Sequence, residues 1–379
     1  CRFADMSGTN SNPSLQVTVS SKQILAISLP IALAIMVPQV NFVINNIFLG
    51  ALSSEALAIG GITGVFYLIF GVMGQGLNNG LQALISRRAG ENRVDEIGVL
   101  FNQGVIISIL LSIIAIAFTY FIAPSIFHSV LHDSQRANNV IEFLKIRIWG
   151  IPFLFIYQMR NALLVGTNQS KFLIIGTATE AAFNIFFDYS LIFGHFGFTA
   201  MGLNGAAYAS IISEVMGLFV IYLVIHYQKI GARFELFKNF EIKWDYIKLI
   251  FVQSSPIMMQ YMISIISWEI FYILIEHRGE QSLAVSNSMR NIFGFFGSFT
   301  WAFAATSNTM VSNIIGQNMQ DKVIPLINKI AQWSFGFALC VCIILNVFAH
   351  QFLSIYGQGE GFMQEGIPVL RVVSIALLL

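Results

Sequence analysis

The chain has 379 residues, 56% of them hydrophobic and only 10% charged, with a mean hydropathy of +0.73. Soluble domains carry roughly 25% charged residues, so this composition excludes an ordinary soluble globular fold. A formal net charge of +1 gives no electrostatic basis for nucleic-acid binding.

Residues 1–21 are polar and rich in Ser, Thr and Asn, and read as a disordered cytoplasmic tail. No short apolar segment precedes a small-residue site, so these residues read as a tail rather than as a cleaved signal. Cys1 fits a lipidated terminus, or else a chain cut from a longer reading with Met6 as its start. Apolar runs then follow at 22–49, 56–85, 96–122, 139–164, 171–193, 202–227, 246–275, 281–311, 323–348 and 363–379. Runs of about 20 residues cross a bilayer as helices, so the expected fold is an all-α polytopic membrane protein. Alternate loops carry the basic residues: Arg87, Arg88 and Arg93, then Lys171, then Lys229, Arg233, Lys238, Lys243 and Lys248, then Lys322. The opposite loops hold only Arg136 and Arg278. The positive-inside rule places the first set, and the N-terminus, in the cytoplasm of a cell whose plasma membrane holds the protein. Cys340 and Cys342 lie inside a span and read as packing residues.

The chain repeats itself at an offset of 226 residues. Residues 24–98 fall on 250–324 without a gap, and fifteen positions are identical, among them Pro30/Pro256, Gly71/Gly297, Gly90/Gly316, Asn92/Asn318 and Asp95/Asp321. Six spans precede the second copy, so both copies enter the membrane in the same sense. This is the parallel-repeat plan of a transporter with two lobes. The lobes are read as 22–227 and 246–379, with 228–245 as a cytoplasmic linker. Residue 379 matches Phe153 in span four, which makes ten spans of an expected twelve, the last in part.

Three segments carry a family resemblance: GLQALISRRAGENRVDEIG at 80–98, NIFFDYSLIFG at 184–194 and GFTAMGLNGAAYAS at 197–210. With the six-plus-six repeat, they resemble the multidrug and toxic compound extrusion (MATE) transporters over essentially all of 22–379. The resemblance implies a V-shaped pair of six-helix lobes. It also implies export of amphipathic, often cationic compounds in exchange for sodium ions or protons, with no other cofactor.

Several polar residues inside spans are candidates for that chemistry. Glu180, Asn184 and Asp188 share one helical face at i, i+4, i+8. A carboxylate at such depth is costly and faces a cavity or a partner. Asp188 can ligate sodium or take a proton, or be neutralised by Lys145 or Arg147 on span four. The resemblance places Asn184 and Asp188 in a cation site and adds Ser210 on span six, which can instead bond its own helix. Glu214, one turn deeper, either shares a proton-holding layer with Glu180 or bridges to Arg147. Where the family often has an aspartate on span one, this chain has Asn45, an oxygen ligand without a proton. Asn161 matches a family cation-site asparagine, and Arg160 beside it reads as snorkelling to the cytoplasm. In the second lobe Glu269 and Arg290 stand at equal depth and are expected to pair, as a structural clamp, a proton-sensitive gate or part of the substrate site. Another family carboxylate position is Ser264 here. The Phe-rich runs at 293–296 and 301–303 either line a drug cavity or pack between helices.

The partners expected are a small amphipathic substrate and the lipid bilayer, for a monomer. A flippase for lipid-linked sugars shares this architecture and would use Lys145, Arg147, Arg160 and Arg290 against a diphosphate. A channel fits two covalent lobes poorly. No GxxxxGK[ST], HExxH, GxSxG or CxxC motif is present to suggest an enzyme.

Overall fold

The structure is a computed structural model that describes residues 15–131, 133–236, 238, 241–276, 279–354 and 360–378. Helices α1 (Ser21–Leu52), α2 (Ser54–Gly90), α3 (Val94–Phe121), α4 (Ala123–Val130), α5 (Ser134–Arg147), α6 (Ile151–Gly166), α7 (Leu173–Phe193) and α8 (Gly202–Tyr227) form the first repeat. A short α9 (Ile230–Arg233) follows. The second repeat comprises α10 (Trp244–Glu276), α11 (Glu280–Gly316), α12 (Val323–Val347), α13 (Ala349–Ser354) and α14 (Glu360–Ala376). Among the described residues there is no β-strand. A chain in lipid must satisfy its backbone internally, and helices do this without a neighbour.

Side-chain caps set the turns. Ser53 accepts from the Ala56 amide, and Asp133 accepts from the amides of Gln135 and Arg136. Among the described residues, six helices are long and apolar enough to cross a membrane: α1, α2, α3, α8, α10 and α12 with the turn before it. The other four expected spans are α7, α11, α14 and a broken helix. In that last case α5 ends at Arg147, one 3-10 turn covers Ile148–Gly150, and α6 restarts at Ile151. Pro152 near the start of α6 lacks the amide that a continuous helix would use there.

The 226-residue offset survives as geometry. Helix α2 runs Ser54–Gly90 and α11 runs Glu280–Gly316, displaced by 226 at both ends. The starts of α4 and α13, and of α5 and α14, keep the same offset. The repeated asparagines have a backbone reason. Asn92 and Asn318 both adopt positive φ, 57° and 59°, in the turns after α2 and α11, a conformation that asparagine tolerates better than most residues.

The two repeats meet where α2 crosses α11. Gln82 Nε2 donates to the Ala305 carbonyl at 3.0 Å, and Asn308 Nδ2 donates to the Asn79 carbonyl at 3.0 Å. Moving Gln82 forward and Ala305 back by 226 gives the second pair. A Cβ on Gly90 would fall on the Asn313 carbonyl, and one on Gly316 would fall on that of Arg87. Those two contacts are related by the same shift. The seam closes further with Ser86 Oγ donating to the Thr309 carbonyl at 2.7 Å. Flanking it, α10 packs on α2 and α1 on α11.

Residues 15–20 correct one expectation. They are not part of a disordered tail but lie along the basic end of this seam. Asn313 Oδ1 accepts from the Val17 amide at 3.0 Å, and Asn313 Nδ2 donates to the Leu15 carbonyl at 2.9 Å. Gln317 Nε2 donates to the Val17 carbonyl at 2.9 Å, while Leu15 and Val17 are buried. The amide side chains of α11 stand in for a neighbouring strand, a contact that tail composition does not encode. Residues 1–14 lie outside the described residues.

A valine at Gly90 has to displace a carbonyl of the opposite helix. Overpacking of this kind costs about 1–3 kcal/mol, so Gly90→Val is expected to lower the melting temperature of the detergent-purified protein by several degrees. Gly61 has open space around its Cβ position, and Gly61→Ala is the control that leaves melting unchanged or higher. Equal melting of the two variants would argue against a close crossing.

Candidate functional site

The first repeat encloses three layers of polar side chains. The outermost joins α1 to α7. Ser170, just before α7, donates to the Ala26 carbonyl of α1 at 3.5 Å, and further along Asn41 Nδ2 donates to Asn184 Oδ1 at 2.8 Å. Advances of 15 and 14 residues between these contacts make the two helices parallel. One turn beyond the Asn41–Asn184 pair stand Asn45 on α1 and Asp188 on α7. Asp188 is only 1% exposed, and neither of its oxygens has a hydrogen-bond partner among the described residues. The side-chain oxygens of Asn41 and Asn45 are also buried and unpartnered. Buried polar atoms are rarely left so. Among the described residues, the Asn184 amide nitrogen is the one unpartnered donor beside these acceptors, so a face that presents a carboxylate and two amide oxygens can hold a cation or a proton.

The second layer is a closed ion pair. Arg147, the last residue of α5, donates through Nη2 to Glu214 Oε1 at 2.6 Å and through Nη1 to Glu214 Oε2 at 3.1 Å. The Tyr67 hydroxyl of α2 donates to Glu214 Oε1 at 3.1 Å and accepts from Arg147 Nη1 at 2.9 Å. The guanidinium carbon also lies 3.8 Å from the centroid of the Tyr67 ring. The break in span four makes room, since a Cβ on Gly150 would collide with both charged groups. Of the two readings of Glu214, the structure gives the bridge to Arg147. Glu180 lies against Gly217 of α8, within electrostatic reach of Glu214, Arg160 and Arg147, but forms no ion pair with them. Asp188 feels Arg147 at longer range.

The innermost layer holds Arg160 and Tyr157 of α6. Arg160 does not snorkel; it is 2% exposed, with its guanidinium 3.8 Å over the Tyr157 ring. Its Nη2 donates to Asn161 Oδ1 at 2.8 Å. That contact commits the Asn161 oxygen to Arg160, and no bond links it to Asp188. Ser210 is half-buried on α8, and the hydroxyl that bonds back to this helix belongs to Ser213, which donates to the Ser210 carbonyl at 2.8 Å. In the second repeat the side chain of Glu269 lies outside the described residues, and so does its expected pairing with Arg290. Lys145 points away from the site, its Nζ 5.8 Å from the Tyr120 ring centroid.

Tyr67, Tyr157 and Gln158 are the polar residues that spacing does not reveal. Gln158 Nε2 donates to the Gly71 carbonyl at 3.2 Å, and its oxygen is buried without a partner. A tyrosine inside a span looks like any aromatic packing residue. The one available signal is that a buried Arg–Glu pair needs further hydrogen bonds.

Helix α1 has a second face. Gln39, Val40, Phe42, Val43 and Ile44 line a cleft of about 190 Å³ with Asn291 and Phe295 of α11. The helix that carries Asn41 and Asn45 therefore also borders the space between the repeats.

The MatE family model matches residues 30–190 and 256–379. The chain belongs to the MatE family. The "Probable multidrug resistance protein NorM" of Synechocystis sp. is 27% identical over 212 residues, covering 54% of this chain and 45% of that protein. The protein of the same name from Listeria monocytogenes serotype 4b is 24% identical over 286 residues, 75% of this chain and 63% of its own length. The chain thus spans about half to two-thirds of these relatives. The Thermotoga maritima protein of that name is 25% identical over 369 residues, covering 96% of this chain and 78% of its own. Among solved structures, a MATE protein in complex with MaL6 superposes with a TM-score of 0.89 at 19% identity. An outward-facing multidrug resistance MATE family transporter of the MOP superfamily superposes at 0.86 and 20%. Each comparison covers 98% of this chain and 82% of the other. The MatE member described here is an all-α, multi-pass membrane protein.

Glu214→Gln leaves the Arg147 charge buried without its partner, which costs about 3–5 kcal/mol. Its melting temperature should fall well below that of Tyr67→Phe, which loses a hydrogen bond of about 1 kcal/mol. The double variant Arg147→Met/Glu214→Leu should recover most of the loss. Full stability of Glu214→Gln alone would show that the pair does not support the fold.

Proposed function

We propose that this chain forms a secondary exporter that moves amphipathic compounds out of the cell in exchange for an inward cation. The observation that carries the reading is the unpartnered Asp188 carboxylate, buried in a membrane-spanning helix beside the unpartnered oxygens of Asn41 and Asn45. An intramembrane carboxylate of this kind marks an ion pathway. In this reading Asp188, Asn184 and Asn45 form the cation site with Asn41, while Ser210 faces it from α8. Glu180 is a second exchangeable carboxylate, and Glu214 is held in its ion pair. The relatives' multidrug-resistance names support drugs and toxins as the exported class.

The oxygen set favours sodium as the coupling ion. A proton needs one acceptor and leaves the amide oxygens idle, whereas a sodium ion uses several oxygens at once. The N-terminus lies in the cytoplasm, because the basic loops sit at that end. The two repeats act as lobes of 22–227 and 246–379. Export alternates as they rock about the α2–α11 seam, and α1 transmits ion binding to the cleft between them.

A flippase for lipid-linked diphosphates fits less well. It needs clustered free cations, and Arg147 is bound to Glu214 through both Nη atoms.

Dye export from cells stripped of other efflux pumps, under imposed sodium and pH gradients, tests the proposal. Asp188→Asn is expected to reach the membrane and to lose gradient-driven export. Asn45→Ala should raise the half-saturating sodium concentration about tenfold, the worth of one ligand contact to a charge. Export by Asp188→Asn at the wild-type rate would sink the assignment. Export that follows the pH gradient at zero sodium would reassign the site to a proton.

A further inference from the structure

Two arginines of the broken fourth span lie inside the first repeat, and they differ in how their charge is met. Arg147 is satisfied by Glu214 and Tyr67. Arg160 is not. It is among the largest fully buried side chains, it spends Nη2 on Asn161, and its Nε and Nη1 have no partner among the described residues. The Tyr157 hydroxyl beside it is also buried, Arg160 itself is its polar neighbour, and its own O–H has no acceptor among the described residues; the guanidinium carbon lies 3.8 Å from the ring centroid. Helix α7 turns a glycine toward this corner. A Cβ on Gly176 would sit 3.3 Å from Tyr157 Oη and 3.4 Å from Arg160 Nη2, so any larger residue would crowd these donors. Glu180, one turn along α7, is the carboxylate within electrostatic reach, yet it makes no ion pair with Arg160.

A buried guanidinium without a counter-charge is costly, and its forked N–H groups match a carboxylate. Three donors around one fixed positive charge suit a single such group. A diphosphate would call for a second free cation, but Arg147 is engaged and Lys145 points toward Tyr120.

We propose that Arg160 and Tyr157 form an anion subsite at the base of the first lobe, which takes the carboxylate of an exported compound whose cationic nitrogen turns toward Glu180. The proposal rests on the exporter reading and deepens it. The compounds it selects are amphipaths that carry both a carboxylate and a positive charge.

A rhodamine dye with a free carboxyl group and its methyl ester differ only in the group at issue. Uptake of each into everted vesicles, at matched protein levels, gives a KM for both. In Arg160→Gln the KM for the acid dye should rise about tenfold, the worth of a charge-assisted contact, with the ester changed less than twofold. Tyr157→Phe, which removes only a hydroxyl, should raise the acid KM about threefold and serves where Arg160→Gln does not reach the membrane. If acid and ester shift together in these variants, Arg160 is a structural counter-charge for Glu180 and the subsite is wrong; an unchanged acid KM overturns it as well. Added acetate separates the two sources of a carboxylate. Competition against the acid dye alone assigns the site to the exported compound. Ester export that needs acetate, with the need lost in Arg160→Gln, assigns the same site to a free anion. Gradient-driven export of the ester by the wild type carries the exporter reading by itself, so failure of that reading and failure of the subsite are distinct results.

Discussion

The fold depends on two glycines that bring backbone against backbone. Gly90 and Gly316 let α2 and α11 cross so closely that each carbonyl of the partner helix fills the space of a missing Cβ. Helices in a membrane gain no hydrophobic drive from meeting each other, and close packing of small residues takes its place. The crossing sets the offset between the repeats, and the exchanged bonds of Gln82 and Asn308 follow from it. Residues 15–19 and the flanking helices α1 and α10 are placed by it in turn.

Away from the seam, the internal charges follow a different rule. A charge inside the bilayer persists only where something answers it. Arg147 and Glu214 answer each other, and the cost is one helix interruption, a 3-10 turn that ends in Gly150. Asp188 has no hydrogen-bond partner among the described residues, and Arg160 has Asn161 and the Tyr157 ring but no ion pair. Opposite charges left unpaired at the two ends of one polar column, with a satisfied pair between them, describe a site built for what passes through. A structure selected only for stability would have paired or replaced them.

Much of this was legible in the sequence. All ten apolar runs correspond to helical segments with ends displaced by a few residues, because hydropathy over a bilayer's thickness is a strong signal. The shared face of Glu180, Asn184 and Asp188 followed from helical spacing alone. What stayed hidden depended on contacts between distant segments. Nothing near Tyr67 announces Arg147, 80 positions away. The ordering of residues 15–20 depends on Asn313 and Gln317, about 300 positions further on. Arg160 was misread because its place near a helix end suggests snorkelling, while burial depends on how α6 sits against α7.

The repeat also shows where symmetry ends. Carried forward by 226, Asn41 and Asn45 become Ser267 and Phe271, Tyr67 becomes Phe293 and Arg147 becomes Val373. Ser267 donates to its own helix at the Ile263 carbonyl, 2.8 Å away, so even the surviving hydroxyl is spent locally. Phe293 keeps the ring of Tyr67 and lacks the oxygen that tied the ion pair together. The second copy therefore reproduces the shape of the first helices without their chemistry. Duplication explains the seam, since both halves of a two-fold contact must change together or not at all. The polar column lies within one half, under no such constraint, and its residues were free to diverge. For α1 and α11 the result is a shared cleft with unequal neighbours: amide oxygens and a carboxylate behind α1, and a lipid-like aromatic face along α11. Ion binding in the first half can then bias the position of the second without a matching site there.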